Sequence, residues 1–154
     1  MTGTHALSVD VEDWFQVLNM AHVIDRADWD RLQLRCGDAT RRLLDLFAKR
    51  SAKATFFCLG WIAERLPDLV AEVAAAGHEI GSHGYDHRLL PDLGRAGFAA
   101  DLARTAEVLR GITGRAPTSF RACTWSIGKR PPWAIDELLA AGITLDSSIQ
   151  PVRH

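Results

Sequence analysis

Gly77-His78-Glu79-Ile80-Gly81-Ser82-His83-Gly84-Tyr85-Asp86-His87 sets two imidazoles four residues apart, directly behind a short apolar segment that reads as a strand. Two histidines at that spacing, released at a strand end, can grip one metal ion. Working outward, residues 62–76 predict a helix that Gly77 closes, with a break at Pro67. Before it, Ala54-Thr55-Phe56-Phe57-Cys58-Leu59 is a continuous apolar run ending in Gly60, which suits a strand buried on both faces of a parallel sheet. Residues 39–50 predict a helix with Asp38 as its N-cap, since Leu43, Leu44, Phe47 and Ala48 recur at helical spacing. At the start, Ala6-Leu7-Ser8-Val9 predicts a strand running into the acidic Asp10-Val11-Glu12-Asp13.

Beyond the histidines, residues 102–109 predict a helix with a looser approach over 94–101, and Ser119-Phe120-Arg121-Ala122 predicts an extended segment. Pro131 and Pro132 open a helix over 133–141 that Gly142 stops, and Ile143-Thr144-Leu145 predicts a last strand. Helices alternating with strands in this way call for βαβ units and a parallel α/β sheet, open or barrel-like, with five countable strands.

The chain has 154 residues, 47% hydrophobic and 24% charged, and a formal net charge of −1. That is enough for one domain with a core, expected to span 1–154. No basic stripe favours nucleic acid, and no apolar run approaches the length of a membrane span. The N-terminus lacks the basic and apolar regions of a signal peptide, so the expectation is a cytoplasmic chain without membrane insertion. The oligomeric state is left open. Cys36, Cys58 and Cys123 have no Cys-x-x-Cys spacing, which predicts free, mostly buried thiols rather than a disulfide framework.

Chemistry-bearing residues fall at the C-terminal ends of the predicted strands: Asp10 and Glu12, His83 and His87, Arg121, and Asp146. α/β folds build active sites at that rim. On an extended strand Asp10 and Glu12 share a face, which favours Glu12 over Asp13 as a metal ligand. His5, His22, His78 and His154 have no partners by spacing. Trp29, Trp61 and Trp133 read as packing residues. Asp146-Ser147-Ser148 reads equally as a turn or cap.

These strings resemble the polysaccharide deacetylase superfamily, the NodB-homology domain of carbohydrate esterase family 4. Leu7-Ser8-Val9-Asp10-Val11-Glu12-Asp13-Trp14-Phe15 is similar to the DVED branch linked to bacterial exopolysaccharide loci. The strings 54–60 and 77–87 are similar to the family's second strand and metal motif. Phe120-Arg121-Ala122-Cys123 stands where the family has Arg-x-Pro, and Asp146-Ser147-Ser148-Ile149 looks like its following segment. The resemblance implies a (β/α) barrel of the NodB type, incomplete here, whose last strands and late Leu-x-His motif do not follow Asp146.

It further implies a metal-dependent hydrolase that removes N-acetyl groups from an N-acetylated polysaccharide or oligosaccharide. Asp10 would be the catalytic base, Arg121 would hold it, and Glu12 (or Asp13), His83 and His87 would bind a divalent metal, zinc by default with cobalt, nickel or manganese open. Trp14, Phe15, Tyr85 and Trp125 lie beside these strings as candidates for stacking on sugar rings. Competing readings are hydrolysis of a small cyclic amide or ureide, and a non-catalytic relative that binds metal or carbohydrate.

Overall fold

The computed structural model describes residues 5–124 and 131–149, so the expectations for Trp125 and His154 lie outside the described residues. Five strands, β1 (Ser8–Val11), β2 (Thr55–Cys58), β3 (Glu79–Ser82), β4 (Ser119–Phe120) and β5 (Leu145–Asp146), form one parallel sheet in chain order. Helices α1 (Cys36–Lys49), α2 (Gly60–Arg65), α3 (Pro67–Ala75), α4 (Leu90–Thr113) and α5 (Ala134–Ala140) supply the crossovers. An unbroken 1-2-3-4-5 order means that each crossover repeats the same hand without reversal, as in a barrel wall rather than a doubly wound sheet. Among the described residues the wall is open between β1 and β5.

Register sorts the side chains. Val11, Cys58, Ser82, Phe120 and Asp146 stand in one lateral row, and Asp10, Phe57 and Gly81 in the row of the opposite face. The first face carries the core against the helices: Val11, Phe56, Cys58, Ile62, Leu69, Val70, Val73 and Leu109 in one cluster, Phe98, Leu102, Phe120, Ala134 and Leu138 in a second. On the concave face Gly81 is required by space. A Cβ there would lie 2.6 Å from the Phe57 ring and 2.7 Å from Ser119 Oγ.

Several boundaries differ from the sequence expectations. α1 starts at Cys36 rather than at 39. The carboxylate that accepts its leading N–H groups is Asp13, from 22 residues upstream, so Asp38 lies within the first turn and does not cap it. The predicted helix 62–76 is two helices, with Pro67 opening the second. α4 is far longer than 102–109, because Phe98 and Leu102 pack into the second core cluster and outweigh the poor helix propensity of Gly97. Gly94, at φ 63° and ψ 177°, marks a kink there. α5 begins at Ala134, one residue after the predicted start. The last strand is Leu145–Asp146 rather than 143–145. No helix among the described residues is long and apolar enough to cross a membrane.

Candidate active site

β1 delivers Asp10 to the concave face and ends at Val11, after which Glu12 and Asp13 part company. Asp13, 2% exposed, turns to α1: its Oδ2 accepts from Arg35 N (2.7 Å) and Cys36 N (2.9 Å), and its Oδ1 accepts from Trp14 N (2.9 Å). A carboxylate spent on a helix N-terminus is a cap, not a free ligand. Glu12 turns the other way. Its Oε2 lies 2.9 Å from His87 Nε2 and 3.8 Å from His83 Nε2. The contact with His87 lacks the alignment of a hydrogen bond, and this carboxylate oxygen is buried.

His83 shows what that arrangement suits. Its Nδ1 sits 2.8 Å from the Arg121 carbonyl oxygen, which can only accept, so Nδ1 carries the proton. Burial lowers the His83 pKa and keeps the ring neutral, which leaves Nε2 as a bare lone pair. Burial alone would raise the Glu12 pKa, yet His87 at 2.9 Å outweighs that and holds the carboxyl below its usual value. A carboxylate oxygen and a neutral imidazole lone pair facing one another repel unless a cation lies between them. The donor set therefore fits a divalent metal of the borderline class, with an orienting carbonyl behind one imidazole. Cys123 is a competitor, since its Sγ comes within 4.8 Å of a ring nitrogen of each histidine. Its thiol already donates to His83 O at 3.0 Å, and burial pushes its pKa well up, which argues against a resting thiolate or nucleophile.

The loop carrying the histidines is clamped from three directions. Gly60 N and Trp61 N, at the start of α2, donate to the Gly84 and Tyr85 carbonyls (2.9 Å each). Asp101 of α4 accepts from Tyr85 N through both oxygens, at 3.1 and 3.0 Å. Arg26, in a 3-10 turn (Arg26–Arg31), donates to the Asp86 and His87 carbonyls at 3.2 Å each. His87 is thereby held at φ 57°, a left-handed conformation costing a non-glycine residue about 1–2 kcal/mol. Thr124, at φ 53°, shares the pocket wall.

Across the pocket, Arg121 Nη1 donates to Asp10 Oδ1 at 2.7 Å. The same guanidinium bonds Ser8 Oγ (2.7 Å), Ser147 Oγ (2.8 Å) and Ser147 O (3.3 Å), and stacks 4.4 Å from the Phe57 ring centroid. Asp146 has no place in this group. It stands in the Phe120 row, on the helix side of the sheet, and accepts from Ser148 Oγ, which in turn accepts from Ala122 N. The resulting pocket, about 220 Å³, is lined by Asp10, Glu12, His83, His87 and Thr124 with the stretch 17–19.

A model of the family described as polysaccharide deacetylase matches residues 28–143. The chain belongs to the polysaccharide deacetylase family. A peptidoglycan-N-acetylglucosamine deacetylase of Bacillus cereus is 37% identical over 82 residues, covering 53% of this chain and 30% of its own length. A chitin deacetylase of a Pestalotiopsis species is 36% identical over 85 residues, 53% of this chain and 28% of that one. Among solved structures, a Mycobacterium smegmatis chain assigned to the polysaccharide deacetylases superposes with a TM-score of 0.77 at 28% identity, over 97% of this chain and 52% of that one. A family 4 carbohydrate esterase from Streptomyces lividans, at 22% identity and a TM-score of 0.69, shares the fold over 94% of this chain and 62% of its own. The chain thus spans under a third of these curated relatives and 52% and 62% of these two solved chains.

The five sequence-derived deacetylase candidates, Asp10, Glu12, His83, His87 and Arg121, converge. Phe15 and Tyr85 are not open to sugars: Phe15 packs against Trp29 and Trp61, and the Tyr85 hydroxyl donates to Glu64 (2.6 Å) beneath the Arg104 guanidinium. Trp14 keeps 39% exposure. Trp29 and Trp61 pack in the first core and Trp133 against the second, as expected. His78 is a core histidine, its Nδ1 accepting from Ala54 N at 3.1 Å. All three cysteines are free and buried. Sequence reasoning missed Ser8, Ser147, Arg26 and Asp101. Only Ser147 carried a signal, as the neighbour of Asp146 at a strand end.

Proposed function

We propose that this chain carries out its family's reaction, metal-dependent removal of N-acetyl groups from an N-acetylated polysaccharide or oligosaccharide. The observation that supports this most is the meeting of Glu12, His83 and His87 around one point, beside an Asp10 held by Arg121. Glu12, His83 and His87 would hold a divalent cation, zinc by default, which when bound polarises the acetamide carbonyl and acidifies water. Asp10 takes the proton of the water that adds to the acetamide carbon, and transfer of that proton to the nitrogen as the C–N bond breaks gives acetate and the free amine. Arg121 keeps the Asp10 carboxylate aimed into the pocket, and its bonds to Ser8 and Ser147 keep the guanidinium from swinging away.

The relatives act by name on peptidoglycan and chitin; for this chain we favour an exopolysaccharide, on the strength of the Asp10-Val11-Glu12-Asp13 string. The test is elemental analysis of the purified chain together with acetate release from N-acetylated oligosaccharides. About one divalent ion per chain, with acetate release that Asp10→Asn removes while sparing the metal, is the expected result. A chain that takes up no divalent metal, or an Asp10→Asn variant as active as the wild type, rejects the reading.

A further inference from the structure

His78 and His83 flank β3 at opposite ends: His83 follows its last residue and lines the candidate metal pocket, and His78 precedes its first. At the His78 end lies a cavity of about 430 Å³, between the start of β3 and the link from α4 to β4. It is larger than the metal pocket and within the range of small-ligand sites. His78, Arg115 and Thr118 line it together with the apolar Ala74, Ile80 and Ala116.

His78 is 8% exposed, and most of its ring is held by the core. The Phe56 and Phe47 rings pack against it at centroid distances of 5.0 and 5.7 Å, and Nδ1 accepts from Ala54 N. A backbone N–H can only donate, so Nδ1 carries no proton. Burial, and Lys53 nearby, lower the pKa of the imidazole and keep it neutral, which puts its proton on Nε2. This N–H has no acceptor among the described residues, yet it is not sealed from solvent as the side-chain nitrogens of Gln16 and Trp29 are. The ring edge that bears it is the one left to face the cavity.

The other polar groups around the cavity sort into spent acceptors and free donors. At the end of α3, the Val73, Ala74 and Ala76 carbonyls accept from His78 N, Gly77 N and Lys53 Nζ. At the end of α4, the Arg110 carbonyl accepts from Gly114 N, and the Thr113 hydroxyl is tied to the Leu109 and Arg115 carbonyls. Glu79 shares the concave face of the sheet with Gly81, away from Ile80, and its carboxylate accepts there from Thr55 Oγ1 at 2.6 Å. The Arg115 guanidinium is exposed and has no hydrogen bond or ion pair among the described residues. A buried N–H, an unpaired guanidinium and an apolar floor call for an oxyanion on a small body.

We propose that this cavity binds the acidic group of a small ligand, a carboxylate or a phosphate, which accepts from His78 Nε2 and pairs with Arg115 while the body of the ligand rests on Ala74 and Ile80. The site does not depend on the deacetylase reading, since it shares no lining residue with the metal pocket.

The test is an NMR titration of the purified chain at constant pH, following the His78 imidazole signals, which are identified by their loss in His78→Asn. The probes are inorganic phosphate and glucuronate, with sodium chloride at matched ionic strength as the control. At least one probe should move the His78 signals along a saturating curve, and chloride should not. Arg115→Met, at an exposed position, should keep the melting temperature of the wild type and weaken that binding about tenfold. His78→Asn, which keeps an acceptor for Ala54 N but has nothing at the Nε2 position, should weaken it about fivefold in calorimetry. Saturation by glucuronate alone assigns a carboxylate ligand, by phosphate alone a phosphorylated one, and by both a site that takes either. His78 signals that neither anion moves, or that respond equally in Arg115→Met, overturn the site and leave the deacetylase reading standing.

Discussion

Glu12 and Asp13 are adjacent carboxylates with opposite fates, and the difference lies in what each can reach. Asp13 meets three backbone N–H groups and becomes the cap of α1, whereas Glu12 meets two imidazoles. Their substitutions should separate accordingly. Asp13→Ala is expected to cost about 2 kcal/mol in urea unfolding while the folded fraction retains its metal. Glu12→Gln should unfold as the wild type does and lose metal in elemental analysis, as should His83→Ala and His87→Ala. Cys123→Ser should keep the metal, because its thiol is already bonded to the His83 carbonyl. Loss of metal in Cys123→Ser with retention in Glu12→Gln would move the third ligand from the carboxylate to the sulfur.

At the scale of elements, the histidine loop is held by groups that never face the pocket. Arg26 is the most informative of them, since its side chain is 43% exposed and its removal should not threaten the fold. Arg26→Gln is expected to lower zinc affinity about tenfold in a chelator competition, within the range seen when groups that orient metal ligands are removed. Its metal-free melting temperature should stay close to that of the wild type. Asp101 brings a pH dependence. Burial pushes its pKa up from 3.8 to about 6, against the lowering effect of its bond to Tyr85 N. The folded state then holds this proton more tightly than the unfolded chain, so its contribution falls as pH rises from about 4 to about 6, by about 3 kcal/mol in total. Urea midpoints of the wild type should show that slope, and those of Asp101→Asn should lack it.

At the scale of the molecule, Arg121 ties together parts of the sheet that the backbone ladder does not. From the end of β4 it reaches Ser8 and Asp10 on β1 and Ser147 just past β5. Those strands sit at the two ends of the sheet order, so one guanidinium braces the open wall across its concave face. Arg121→Lys keeps the charge but cannot make the forked contacts, and it should destabilise the fold by about 2 kcal/mol. It should also lower acetate release more than zinc content, since Asp10 loses its brace and the metal ligands do not.

The sequence by itself determined the α/β class and the five parallel strands, which follow from short-range rules: apolar runs and glycine and proline punctuation. The placing of polar residues at strand ends pointed to Asp10, Glu12, His83, His87 and Arg121 but equally to Asp146, and it was the family resemblance that singled out the five. The long α4 escaped those rules, because burial of Phe98 and Leu102 against residues distant in the chain overrode local propensity. So did the assignment of partners. Which carboxylate capped a helix, which side of β5 Asp146 would face, and which distant cation would hold the His87 carbonyl were decided only by tertiary structure. The reason is that a hydrogen bond spanning 22 or 61 residues leaves no periodicity in either stretch it joins.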